Sequence, residues 1–101
     1  MPTPVKITAA DNELYIIATS TSGVGSSELF HIKNGYNDPV NTVFNLESVL
    51  PKGTWQLVFV GINWGGPWAF KITVGSNGYG NSAATGPVGI VWSQTIPPIT
   101  I

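Results

Sequence analysis

His31 and the carboxylates Asp11, Glu13, Glu28, Asp38 and Glu47 are the side chains of this 101-residue chain best suited to acid–base chemistry. Their spacing does not make a catalytic set. Glycoside hydrolysis needs two carboxylates facing each other across a cleft, and Asp11 and Glu13 bracket Asn12 in what reads as a tight turn. Hydroxyl nucleophiles are available, but no Gly-x-Ser-x-Gly elbow marks one as activated. His31 falls inside a predicted strand. Gly75, Gly78 and Gly80 resemble a phosphate cradle only in their glycines, because no helix pattern follows them. Cysteine is absent, which excludes disulfides, thiolate zinc sites and thiol nucleophiles. Asp11, Asn12 and Glu13 could offer oxygens to calcium, and Asx turns explain the same residues without an ion. The expectation is a protein that is not an enzyme and uses no cofactor or metal.

The chemistry the chain has in quantity is aromatic and amide. Four Trp and three Tyr occur among many Gly, Ser, Thr and Asn. Tyr36, Trp64, Trp68 and Tyr79 fall at predicted strand ends or in loops, with Asn37, Asp38, Asn63 and Asn77 beside them. An aromatic ring covers the C–H face of a sugar, and amides and carboxylates bond its hydroxyls with planar directionality. These eight residues form the expected binding site, drawn from segments 34–41, 63–68 and 76–87. The expected function is a non-catalytic, lectin-like carbohydrate-binding module. Two alternatives use the same residues differently. One is a structural assembly subunit without a small ligand. The other is a membrane-docking or toxin-like module with a Trp-rich hairpin tip, since Trp suits the headgroup region of a bilayer.

Strands must position these groups. Val, Ile and Thr number ten each, an excess that favours strand over helix. Val5, Ile7 and Ala9 alternate with Lys6 and Thr8, so 5–10 reads as a strand, turned at Asp11-Asn12 into a second at 13–21. A hairpin would pair Ala9 with Leu14, Ile7 with Ile16 and Val5 with Ala18. Further strands are expected at 28–33 and 42–47, with one helical turn from Glu47 to Leu50 stopped by Pro51. Thr54 to Trp64 reads as a long strand, Gly65-Gly66-Pro67 as a turn and Trp68 to Val74 as its hairpin partner. Residues 76–87 read as a Gly-rich loop. A strand at 88–95 is broken by Pro97-Pro98 before a last edge segment at 99–101. The total is a single domain over 1–101: an all-β antiparallel sandwich of seven to eight strands, immunoglobulin-like or jelly-roll.

Charge and hydropathy narrow the partners. Only 9% of residues are charged and the net charge is −1, so the chain lacks the basic surface that nucleic acid requires. No stretch approaches the roughly 18 apolar residues of a spanning helix. Residues 54–64 are apolar on both strand faces, which points to a covering loop or to self-association as a homodimer or higher oligomer. The first six residues lack a secretory pattern, so the location is expected to be cytoplasmic or reached by a non-classical route.

Overall fold

A computed structural model describes residues 3–23, 25–32 and 40–101. Its strands are β1 (Pro4–Asp11), β2 (Glu13–Ser20), β3 (Ser26–Ile32), β4 (Thr42–Asn45), β5 (Thr54–Asn63), β6 (Trp68–Val74), β7 (Asn77–Ala83), β8 (Gly89–Thr95) and the two-residue β9 (Ile99–Thr100). One helical turn, α1 (Leu46–Val49), joins β4 to β5. The order β4-β1-β6-β7 makes one sheet, here sheet A. The order β3-β2-β5-β8, with β9 continuing beside β5, makes sheet B. All pairings are antiparallel. The fold is thus an all-β sandwich. Of the links between the first eight strands, only β2–β3 and β6–β7 are hairpins; every other one changes sheets. The chain thus wraps back and forth between the two sheets.

Two expected hairpins are corrected by this wrapping. β1 pairs with β4 and β6, whereas β2 pairs with β3 and β5. Val5 and Ile7 therefore meet Leu14, Ile16 and Ala18 in the core between the sheets instead of across a ladder. Likewise Thr54–Asn63 and Trp68–Val74 belong to opposite sheets. The physical reason is the same in both cases. A strand with one apolar face can lie beside its neighbour or opposite it, and alternation along the chain is identical for the two arrangements. A link of a few residues serves either.

The core face of β5 carries Trp55, Leu57, Phe59, Gly61 and Asn63, all buried. Phe59 lies between Tyr79 and Trp92, with ring centroids 5.6 and 5.7 Å away, and Phe70 of sheet A stacks on Trp92 at 5.8 Å. Gly61 makes room for that: a Cβ there would sit 2.6 Å from the Phe70 ring. The other face of β5, with Val58, Val60 and Ile62, points away from the core and is half-buried.

Residues 77–83, expected to be loop, form edge strand β7 paired to β6 along its whole length. Their Gly-rich composition disfavours a strand locally, and the β6 ladder supplies the hydrogen bonds that override it. Gly75, at φ 60°, makes the tight turn between the two strands. At the chain's end Ile101 and Gly53 exchange backbone hydrogen bonds of 2.8 and 3.1 Å, which closes the edge beyond Pro97-Pro98.

Helical turn α1 is tied to the first described residue. Glu47 accepts from the Thr3 N–H at 2.7 Å and from the Thr3 hydroxyl at 2.8 Å. Those bonds, the backbone one foremost, hold the Glu47 carboxyl below its usual value of 4.5. A depressed folded-state pKa means stability that is fully present above the ordinary value and lost as pH falls through the folded one. Thermal melts should therefore show a decline in stability below about pH 4.5, and Glu47→Gln should flatten its slope. An unchanged slope in the variant would mean the Thr3 tie adds nothing in solution.

Candidate functional site

One end of the sandwich gathers three of the crossovers. The β1–β2 corner at Asp11–Asn12, the β5–β6 link at 64–67 and the β7–β8 link at 84–88 all lie there, and β3 ends there at Ile32, opposite Leu14. The corner and the β5–β6 link are tied together: Trp64 N–H donates to Asn12 Oδ1 at 2.9 Å, and Asn12 N–H to Ile62 O at 3.3 Å. A second tie comes from Asn63, which has no exposed surface. Its Nδ2 donates to Gly66 O at 3.1 Å and to Pro87 O at 3.0 Å, so one buried amide holds both links.

The five expected site residues that are described do not converge. Tyr36, Asn37 and Asp38 lie outside the described residues. Asn63 is a core brace, as above. Trp64 begins and Trp68 ends the β5–β6 crossover between sheets, so they are not a cross-strand pair. The Trp68 indole N–H donates to Asn81 Oδ1 at 2.8 Å, and Gly86 packs against its ring so closely that a Cβ would overlap it. Tyr79 turns toward the core and meets Phe59. Asn77 sits at the far end of β6, opposite Val74. Six residues of strand separate it from the Trp68 end, about 20 Å. The proposed grouping treated 76–87 as one loop; as a strand, that segment carries its residues away from each other. Of the described five, only Trp64 remains as an exposed aromatic, with 43% of its surface open.

Beside Trp64, on the outer face of sheet B, is a cluster that spacing alone did not mark. The Tyr15 hydroxyl donates to Glu13 Oε2 at 2.7 Å. His31 Nε2 lies 3.1 Å from the same oxygen, and His31 Nδ1 is 3.5 Å from Glu28 Oε1. The Tyr15 and His31 rings stack with centroids 3.8 Å apart. The register explains the encounter, because Tyr15 stands directly opposite His31 between β2 and β3. A β2–β3 pairing drawn through the alternation of both strands would have found it. The Tyr15 hydrogen bond does most to hold the Glu13 carboxyl below its usual range. Burial opposes it as the next-largest effect, and His31 and the Trp64 indole add smaller lowering contributions. The same bond raises the Tyr15 hydroxyl. The result is a fixed, ionised carboxylate next to an exposed indole.

A separate open depression of about 620 Å³ lies over sheet A, lined by Ala9, Ala69, Lys71, Gly80 and Ser82 among others. Phe70, Tyr79 and Asn81 also line it, and it does not include the Glu13 cluster. Among the described residues no group of three His, Cys, Asp or Glu has metal-ligand proximity, and no helix is long and apolar enough to cross a membrane.

No protein-family model, curated protein or solved structure matches this chain. Fold and site define it as an all-β sandwich with an aromatic–carboxylate surface at its crossover end.

Proposed function

We propose that this domain binds carbohydrate without catalysis, at the crossover end of the sandwich. The observation that carries the reading is the exposed Trp64 indole beside the Glu13 carboxylate. The ring offers an apolar platform for a sugar's C–H face, and the carboxylate accepts from its hydroxyls. Tyr15 and His31 act behind Glu13 and orient it. Preorganisation of this sort reduces the ordering cost of binding a weakly held ligand. With the ionised Glu13 carboxylate beside the ring, neutral or amino sugars fit better than sialylated or sulfated ones.

The test is a glycan array with the wild type and Trp64→Ala. Loss of the stacking ring is expected to weaken binding by about 30-fold, the equivalent of about 2 kcal/mol, while the melting temperature stays nearly unchanged. Trp68→Ala should instead appear as lost stability, since that ring is packed and bonded. A folded wild type that binds no glycan would refute the proposal.

A membrane-docking reading rests on a different observation. Val88 and Ile90 are 73% and 68% exposed and flank Trp64 at the same end. An indole with two aliphatic neighbours suits the interface of a neutral bilayer. Flotation with phosphatidylcholine vesicles, reduced by Val88→Ser, would favour it over sugar binding.

A further inference from the structure

We infer that the outer face of sheet B is the interface of a homodimer whose two-fold axis runs parallel to the strands. The two outer faces of the sandwich differ in kind. On sheet A the outward positions include Lys6, Thr8, Lys71 and Thr73, a largely polar set in which Val43 of β4, opposite Lys6, is the apolar exception. On sheet B they include Ile17, Val58, Val60, Ile62 and Ile90, joined by the ladder registers into one apolar stripe across β2, β5 and β8. An antiparallel sheet exposed to water on one face ordinarily carries polar residues there.

The dimensions suit a second copy. Four strands at about 4.8 Å spacing and eight residues at about 3.3 Å give a face near 500 Å² in plan. Two such faces, with side-chain relief, bury a total of roughly 1,000–1,200 Å², the lower end of specific interfaces. The expected dimer is therefore weak, with a dissociation constant between about 1 and 100 μM.

The polar flanks choose the axis. One flank, on β3, carries Glu28 and His31; the other, on β8, carries Ser93 and Thr95. Glu28, Ile17, Val58 and Thr95 form one row across the sheet, and His31, Tyr15, Val60 and Ser93 form the next. A two-fold axis across the strands would lay β3 on the partner's β3 and so gather the Glu28 carboxylates of both copies on one flank, away from the hydroxyls of β8. An axis along the strands sets Glu28 against the partner's Thr95 and His31 against the partner's Ser93, so hydroxyls meet a carboxylate and an imidazole. It also packs Ile17 on the partner's Val58. Packed sheets cross at about 30°, so contact is closest near Val58 and Val60 and opens toward Glu13 at the end. The same axis places both Trp64 ends on one side of the dimer, where two weak sites could engage one surface. The interface itself does not depend on what those sites bind.

Sedimentation velocity over about 1–300 μM tests this. The mass should rise from 10.7 kDa toward twice that value with concentration. Val60→Glu buries an unpaired carboxylate in the interface and should weaken the dimer at least about 100-fold. Ile17→Lys serves the same purpose if Val60→Glu fails to fold, as judged by its circular dichroism melt. Thr95→Lys should tighten the dimer about 2- to 5-fold by pairing with the partner's Glu28. A monomer throughout the range overturns the inference, including one that floats with lipid vesicles through this face. So does a dimer that survives both interface substitutions in folded protein, or one that Thr95→Lys weakens.

Discussion

Phe59→Ala should lower the unfolding free energy by about 3–5 kcal/mol, measured by urea denaturation with circular dichroism. Phe59 has no exposed surface and stands on the core face of the central strand β5. Its ring meets Tyr79 from sheet A and Trp92 from its own sheet. Truncation removes buried apolar area and leaves a cavity lined by large rings that cannot all move in. Domains of this size are stable by about 5–15 kcal/mol in total, so the variant is expected to sit near its folding limit. A loss below about 1.5 kcal/mol would mean that the core collapses around the gap, against the cost expected of aromatic truncation.

Asn63→Ala should cost about 2–4 kcal/mol, most of it from two carbonyl partners left without their donor. The Asn63 amide bonds Gly66 and Pro87, one in each of two crossovers, and is itself fully buried. Its Oδ1 takes no hydrogen bond from the described residues, so this side chain contributes through its donors. Asn63→Leu keeps the branched shape and loses the bonds, which separates packing from polarity. Equal losses in both variants would confirm the donor role; full stability in Asn63→Leu would reject it. Amide exchange at Trp64 and Val88 should quicken in either variant, because the links to which these residues belong lose their common anchor.

These two residues also show how far the amino-acid sequence carries. Phe59 sits in an alternating run that was recognisably a strand with a buried face. Which face was buried was not recognisable, since Val58, Val60 and Ile62 are as apolar as Trp55, Leu57 and Phe59. Asn63 read as a ligand-binding amide because it adjoins Trp64 at a strand end. Its parity with Phe59 on β5 turns it inward, and only the packing of the second sheet makes that position a closed one. Tyr79 was misread for a related reason: two flanking glycines suggested a loop, while pairing with β6 made a strand whose alternate residues face the core.

The Glu13–Tyr15–His31 cluster reverses the pattern. His31 looked like a solitary strand histidine, and Glu13 like part of a turn. Neither has a partner within sequence range except Tyr15, two positions from Glu13, and Glu28, three from His31. The β2–β3 register brings them together, and the neighbouring crossover adds Trp64. A site assembled from three separate segments carries no local signature, because each segment satisfies its own strand or turn preference without reference to the others.

Composition and alternation set the class of the fold: β-branched and aromatic residues in alternating runs, punctuated by Gly, Pro and Asn, bury their apolar faces as packed sheets. They also determined the absence of cysteine chemistry and of a basic surface, and they located the strands, apart from β7, to within a few residues. Tertiary structure alone decided which strands share a sheet, which face of β5 is core, and which aromatic stays exposed. The reason is that side-chain periodicity reports a strand's own two faces, while pairing and apposition depend on long-range contacts whose energies no single segment encodes.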